Sequence, residues 1–281
     1  MKRKQDESMR EEKVLSAHPV SDAMRATVLA NLAEVERRHE VTVLFACESG
    51  SRGWGFASPD SDYDVRFIYV HRLPWYLTVA PGRDVIEQPL SGELDVSGWE
   101  LRKALGLLRA SNPTLLEWLR SPVVYRQEQP WAERLHLLAE QGFSPVRGYH
   151  HYVAMARKNL RAHLQGDVVR YKKYFYVLRP LLAARWIREG RGAPPMRFAQ
   201  LAAGTLEDAV LLAELNELLE LKMRLGEAAK GPRRVRVHDF LERELAHAMA
   251  HAPDPGDQAD AAPLDRYLRD AVARFGGNWR Q

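Results

Sequence analysis

The chain has 281 residues, of which 46% are hydrophobic and 28% charged, and its net charge of +4 mildly favours polyanionic partners. Its single cysteine, Cys47, excludes an internal disulfide, and no apolar run approaches the roughly 20 residues that a membrane helix needs. Because the charged segment at 1–13 also lacks the apolar core of a signal peptide, we expect a soluble, cytoplasmic protein.

The first part of the chain predicts alternating helices and strands after a loose, charged leader at residues 1–20. Ser21 is placed to cap a helix whose apolar residues recur at helical spacing. The β-branched and apolar run at 41–46 predicts a buried strand. The further expected elements are a short helix within 50–55, a buried strand at 62–70, a hairpin of 85–90 with a second strand near Asp95, helices from about 99 to 109 and from 112 to 118, and an extended piece at 122–126.

Beyond about residue 130 the pattern is helical throughout. Helical periodicity runs through 131–140, 146–164, 168–189, 206–225, 238–251 and 264–275. Connections rich in Gly, Pro and Asp lie at 190–195 and 252–262. The sequence therefore predicts an α+β protein, with a mixed domain at 21–130 followed by an all-helical domain at 131–281.

Residues 50–66 join a glycine-rich turn to two aspartates, Asp62 and Asp64. On a strand these two side chains point to the same face, and like charges so close repel each other unless a cation shares the site. The turn offers backbone N–H groups, the hydroxyl of Ser51 and the guanidinium of Arg52, which suit a phosphate chain. A phosphate cradle beside a carboxylate pair indicates phosphoryl or nucleotidyl transfer.

The order of a strand, Gly-Ser, a spacer, Asp-x-Asp on the next strand and a later acidic residue resembles the DNA polymerase β nucleotidyltransferase superfamily. The string at 48–70 and the segment Tyr-Lys-Lys-Tyr-Phe-Tyr at 171–176, with Arg179-Pro180, resemble its RNA-ligase-associated branch in RNA repair. The resemblance covers about 40–200 and is sharpest at 48–70. It implies that the small mixed sheet is a palm-like core with flanking helices, and that the helical half closes the cleft over nucleotide and acceptor.

The resemblance assigns a role to each residue of the motif. Gly50 and Ser51 would hold the β- and γ-phosphates of a nucleoside triphosphate, and Arg52 would contact phosphate or lie on the surface of the turn. Asp62 and Asp64 would bind two Mg²⁺ or Mn²⁺ ions, since hard carboxylate oxygens favour these metals.

A third carboxylate is expected on the strand after the hairpin. Asp95 is the preferred residue, because the superfamily places there the carboxylate that helps to bind metal and activates the acceptor hydroxyl. Glu93 shares its strand face and is the competing choice, and Glu87 on the preceding strand is a weaker one.

The basic and aromatic residues at 171–179 are the remaining candidates. By resemblance, Lys172 and Lys173 would reach the triphosphate, and Tyr176 or Tyr174 would stack on the base. The alternative is a solvated basic face with aromatic core residues behind it.

The sequence thus predicts a metal-dependent enzyme that transfers NMP from an NTP to a hydroxyl, with release of pyrophosphate. The resemblance points to an RNA 3′ end as the acceptor, in repair or processing. AMP transfer to a protein or a small molecule, and a non-catalytic nucleotide-binding regulator, are the alternatives. The choice of NTP, the acceptor and the oligomeric state stay open.

Overall fold

The computed structural model describes residues 19–90, 92–254 and 260–277. The leader expected at 1–20 lies almost wholly outside the described residues. The first half forms α1 (Asp22–His39), β1 (Val41–Glu48), α2 (Gly50–Trp54), β2 (Tyr63–His71), α3 (Leu73–Tyr76), β3 (Val85–Glu87), β4 (Leu94–Glu100), α4 (Leu101–Arg109), α5 (Pro113–Leu119) and β5 (Val124–Gln127). The second half forms α6 (Trp131–Gln141), α7 (Pro145–His163), β6 (Val168–Arg170), α8 (Tyr171–Arg188), α9 (Phe198–Thr205), α10 (Ala209–Leu225), β7 (Lys230–Pro232), α11 (Val235–Ala250) and α12 (Ala262–Phe275).

The α+β class and the mixed sheet are confirmed. The five strands are ordered β3-β4-β2-β1-β5, and β2–β4 is a parallel pair while the other neighbours are antiparallel. The strand predicted at 62–70 begins at Tyr63, so Asp62 precedes it. The helix predicted from about 99 begins at Leu101, because Trp99 still pairs with Val85 in the sheet.

Contacts divide the chain into two compact units, described separately here. The sheet unit comprises 20–50, 62–143 and the described part of 258–281, and the helical unit comprises 51–61 and the described part of 144–257. This division differs from the boundary expected near residue 130. The reason is that α6 and α12 bury their apolar side chains in one core with the sheet, including Leu135 and Tyr267.

The sheet unit has a hydrophobic core on each face of its sheet. On one face, Val28, Leu32 and Val35 of α1 pack with residues of β1, β2 and β4. On the other, α4, α5, α6 and α12 pack against alternate residues of β1 and β2. Helix α1 begins as the sequence predicts, since Ser21 Oγ accepts a hydrogen bond of 3.2 Å from the Met24 N–H. The sheet that carries Asp64 and Asp95 is therefore buried on both sides.

The helical unit is built around α8, most of whose residues are buried. Phe56, Phe175 and Phe198 pack with ring centroids 5.1–5.9 Å apart and fix the segment at 51–61 to α8 and α9. A two-stranded ribbon, β6–β7, interrupts the half that the sequence predicts to be all helical. The predicted helix at 168–189 is shortened accordingly, because its β-branched start at 168–169 hydrogen-bonds to β7 instead. None of the described helices is both long and apolar enough to cross a membrane.

Candidate active site

Two of the expected carboxylates lie side by side in the sheet unit. Asp64 of β2 and Asp95 of β4 are direct partners in the parallel register. Both accept a hydrogen bond from Nη2 of Arg66, at 2.9 Å from Asp64 Oδ1 and 2.7 Å from Asp95 Oδ2. The competing Glu93 is exposed in the turn before β4, where its carbonyl accepts from the Tyr63 N–H. The register thus brings Asp95, rather than Glu93, next to Asp64.

Arg66 holds this carboxylate pair together. It lies two residues after Asp64 on β2, so both side chains project from the same face. Its Nη1 also donates to the carbonyl oxygens of Asp95, at 3.0 Å, and Val65, at 3.1 Å. The guanidinium therefore compensates two negative charges that would otherwise repel each other. Sequence reasoning missed Arg66 as a residue of the site, although its i+2 spacing from Asp64 is visible in the sequence.

A buried glutamate supports the backbone of Asp64. Glu48, at the end of β1, is completely buried, and its Oε1 accepts a hydrogen bond of 2.9 Å from the Asp64 N–H. Its Oε2 accepts from the hydroxyl of Tyr125 on β5. Sequence reasoning missed this residue. The available signal was a carboxylate at the end of an otherwise apolar strand, which needs partners when it is buried.

Gly50 makes room for the Asp64 carboxylate. Its φ of +54° lies in the left-handed region, and a Cβ at this position would lie 1.9 Å from Asp64 Oδ2. The Asp64 carbonyl in turn accepts a hydrogen bond of 2.8 Å from the Ser49 N–H. Glycine is therefore required here by backbone conformation and by space. Its expected role as a phosphate ligand stays a prediction.

Asp62 is exposed and precedes β2. The inference that Asp62 and Asp64 share a strand face required both residues to lie in β2. Because β2 begins at Tyr63, the strand does not fix the direction of the Asp62 side chain. In the described ranges no group of three His, Cys, Asp or Glu residues is arranged to hold a metal ion. The donor chemistry of Asp64 and Asp95 still fits Mg²⁺ or Mn²⁺, because both supply hard carboxylate oxygens to one point, the position of Arg66 Nη2.

In the helical unit, Ser51 and Arg52 lie in the short helix α2, which is part of a tightly closed segment. The Ser51 carbonyl accepts from the Phe56 N–H at 2.9 Å. Arg52 is buried and its Nη2 donates to the Ser61 carbonyl at 2.8 Å, so it does not lie on the surface of the turn. Arg52 thus closes the loop that leads to Asp62. Phosphate binding by Ser51 or Arg52 stays a prediction.

Tyr176 and Lys173 belong to a cluster of cations and aromatic rings in the helical unit. Lys173 Nζ lies 4.6 Å from the centroid of the Tyr176 ring, which in turn meets the half-buried Trp54 edge to face at 5.6 Å. Arg179 lies 4.1 Å over Trp54. Partly exposed rings flanked by cations are suited to stack on a nucleobase.

Lys172 forms an ion pair with Glu227, at 3.0 Å from Oε2. The other oxygen, Oε1, accepts from Lys222 at 2.8 Å and from Ser61 at 2.7 Å. Burial alone would raise the pKa of Glu227, but hydrogen bonds from Lys222, Ser61 and Lys172 outweigh it and lower the pKa to about 2. Sequence reasoning placed Lys222 only within the helical run at 206–225, and no local signal marks its pairing with the segment at 51–61.

Three comparisons relate this chain to known proteins. The family model described as "RNA repair pathway DNA polymerase beta family" matches residues 24–270. The chain is similar to a protein of Bacillus subtilis (strain 168), described as uncharacterized protein YcgL, with 46% identity over 251 residues, covering 89% of this chain and 96% of that protein. Among solved structures, it is similar to a nucleotidyltransferase-like protein from Exiguobacterium sibiricum 255-15, with 15% identity, a TM-score of 0.31, and coverage of 90% of this chain and 77% of the other.

Proposed function

Because the chain belongs to the RNA repair pathway DNA polymerase beta family, we propose that it is a metal-dependent enzyme transferring NMP from an NTP to an RNA 3′ hydroxyl. The family itself suggests a polymerase β-like nucleotidyltransferase of an RNA repair pathway. In the proposed reaction the hydroxyl oxygen attacks the α-phosphorus of the NTP. The bond from that phosphorus to the β-phosphate oxygen breaks, pyrophosphate leaves, and the hydroxyl proton is released.

The observation that carries the proposal is the pairing of Asp64 with Asp95 across parallel strands around a single cationic nitrogen. Asp64, Asp95 and Asp62 would hold Mg²⁺ or Mn²⁺, which when bound would neutralise charge on the reacting phosphate and lower the pKa of the hydroxyl. Asp95 is the carboxylate that would accept the hydroxyl proton. Glu48 and Gly50 serve this pair by holding the backbone and carboxylate of Asp64 in place.

The nucleotide-binding part of the proposal is supported by the helical unit. Lys172 and Lys173 supply charge for the triphosphate, and Tyr176, flanked by Lys173 and Trp54, supplies a ring for the base. Lys172 already binds one anionic group, the carboxylate of Glu227. Catalysis of this kind depends mainly on positioning and charge neutralisation, so the chain needs no covalent nucleophile.

The test is to incubate the protein with each of the four α-labelled NTPs, Mg²⁺ or Mn²⁺, and single-stranded RNA. We expect label in the RNA and release of pyrophosphate. The double variant Asp62→Asn, Asp64→Asn should reduce both by at least about 10³-fold, since it removes the metal-binding charge. The matched control is Asp265→Asn, an exposed carboxylate in the first turn of α12, which should keep full activity.

Full transfer by the Asp62, Asp64 double variant would overturn the active-site assignment. A label that moves to a protein band or to a small molecule, and not to RNA, would retain nucleotidyl transfer but replace the acceptor. Binding of NTP with no release of pyrophosphate under any condition would favour the regulator instead.

A further inference from the structure

The β6–β7 ribbon of the helical unit places two cations directly opposite each other. Arg170 and Lys230 are register partners, and both are exposed. Like charges at directly opposite positions of an antiparallel pair destabilise it. Within the described part of the chain, neither residue forms an ion pair that would relieve the repulsion. The ribbon therefore maintains a concentration of positive charge at some cost in stability.

Two further basic groups adjoin this pair. Burial, and then the charges of Lys172 and Arg170, lower the pKa of Lys173. Burial, and then the charges of Lys173 and Arg170, lower the pKa of His163. Arg170 thus acts on both Lys173 and His163 and is the register partner of Lys230, and we call Arg170, Lys230 and His163 the ribbon cluster.

Nearby acids do not neutralise the ribbon cluster. The carboxylate of Glu227 is bound on one oxygen by Lys172 and on the other by Lys222. Asp167 precedes β6, and among the described residues its carboxylate has no ion-pair partner. An anion from outside the chain can balance this charge, and an anion with several negative groups balances it best.

The shape of the charged surface favours a strand over a compact anion. From Arg170 along α8 to Tyr176 the surface extends about 9 Å, at a rise of 1.5 Å per helical residue. It ends at the Tyr176 and Trp54 rings, with Lys173 over the first of them. Cations followed by aromatic faces suit a single-stranded nucleic acid, which presents both phosphates and bases.

We propose that the opposed pair Arg170 and Lys230, with His163 beside it, binds the phosphate backbone of the acceptor RNA strand. This inference rests on the proposed function, in which RNA is the acceptor. It assigns the ribbon to the acceptor and leaves Lys172 and Lys173 for the triphosphate.

The experiment is fluorescence anisotropy of a labelled single-stranded RNA with the full chain, titrated at several salt concentrations. In Arg170→Gln, Lys230→Gln, the salt slope of log K should become shallower by about 1.4, since each phosphate contact contributes about 0.7 for a single strand. At 0.1 M salt the same relation gives a loss of affinity of about 25-fold. The matched control is Arg157→Gln, Arg161→Gln, which removes equal charge from the exposed face of α7 and should retain the wild-type slope.

Melting temperature distinguishes binding from a structural role. Removing two opposed like charges should leave the melting temperature unchanged or raise it, whereas loss of a structural contact would lower it. An unchanged salt slope in the ribbon variant, or an equal loss in the α7 variant, would overturn the assignment. A rise in KM for NTP with unaltered RNA affinity would also overturn it, by assigning the ribbon to the triphosphate.

The failure of this inference and that of the proposed function are distinguishable. If wild-type protein binds RNA and transfers label to it while the ribbon variant behaves like wild type, only the ribbon assignment fails. If the wild-type protein consumes NTP but neither binds nor labels RNA, the acceptor is wrong and the ribbon assignment fails with it. If RNA binding depends on the ribbon while the Asp62, Asp64 variant keeps full activity, only the catalytic assignment fails.

Discussion

Replacing Lys222 by Met should destabilise the helical unit by about 3 kcal/mol. Only 1% of the Lys222 side chain is exposed, and its ammonium donates to Glu227 at 2.8 Å, to the Phe56 carbonyl at 2.8 Å and to Ser58 Oγ at 3.1 Å. Removing one partner of a buried ion pair costs about 3–5 kcal/mol, because the other charge is left uncompensated. We take the lower end of that range, since Glu227 is 24% exposed and retains Lys172.

The measurement is native-state hydrogen exchange of α8 and α10, which reports the free energy of opening of the helical unit itself. The control is Lys103→Met in the sheet unit, measured by hydrogen exchange of α4, because its ion pair with Asp84 is 30% and 49% exposed and should contribute at most about 1 kcal/mol. Adding Glu227→Gln to Lys222→Met should cost less than the sum of the two single variants, because the pair is coupled. A cost for Lys222→Met no larger than that of the control would refute the reasoning.

Three further predictions concern single groups. The pKa of Glu227 is lowered to about 2 from an ordinary 4.5, so the stabilisation by its carboxylate is present above about pH 4.5 and is lost as the pH falls towards 2. The difference in unfolding free energy between wild type and Glu227→Gln should therefore vanish over that pH window. A difference that stays constant with pH would contradict this. Arg66→Met should raise the affinity for Mn²⁺, measured by calorimetry, about tenfold, because the guanidinium no longer competes with the metal for Asp64 and Asp95. Weaker binding of Mn²⁺ would mean that Arg66 holds the two carboxylates together and does not compete with the metal. Gly50→Ala should lower kcat by more than about tenfold, because its Cβ would displace Asp64 Oδ2. The control is Gly190→Ala, where φ is also positive but an added Cβ would have no neighbour within 4 Å, and equal kcat values for the two variants would contradict the steric account.

The elements of the sheet could be predicted from the sequence because each has a local signal. The apolar run of β1 and the alternation of β2 identify strands without reference to the rest of the chain. The start of β2 at Tyr63 could not be predicted, because Asp62 is excluded from the strand by pairing with β4, and pairing is not visible in one strand. The same limit applies to the ribbon, where β6 is three residues long and depends on a partner about sixty residues later.

The candidate site was predicted as residue types rather than as an arrangement. The sequence identified Asp64 and Asp95, but their register depends on the crossover from β2 to β4. Arg66 and Glu48 were not predicted as site residues for a related reason, since each acts through a contact with a neighbouring strand. Residue type can indicate a metal ligand, whereas a supporting residue is recognised only by its partners.

The segment at 51–61 shows how residue type, read from the sequence, and contacts, seen in the structure, combine. The chain leaves the sheet unit after Gly50 and returns to it at Asp62, and both of these residues belong to the motif by which the sequence indicated phosphate chemistry. The segment between them is held within the helical unit by Lys222, Glu227 and the Phe56 ring. A spacer in the motif is therefore itself a packed element, and its length is constrained by contacts more than a hundred residues away in the chain. Substitutions at Lys222 are accordingly expected to disturb the motif without touching any residue that resemblance to the family would identify.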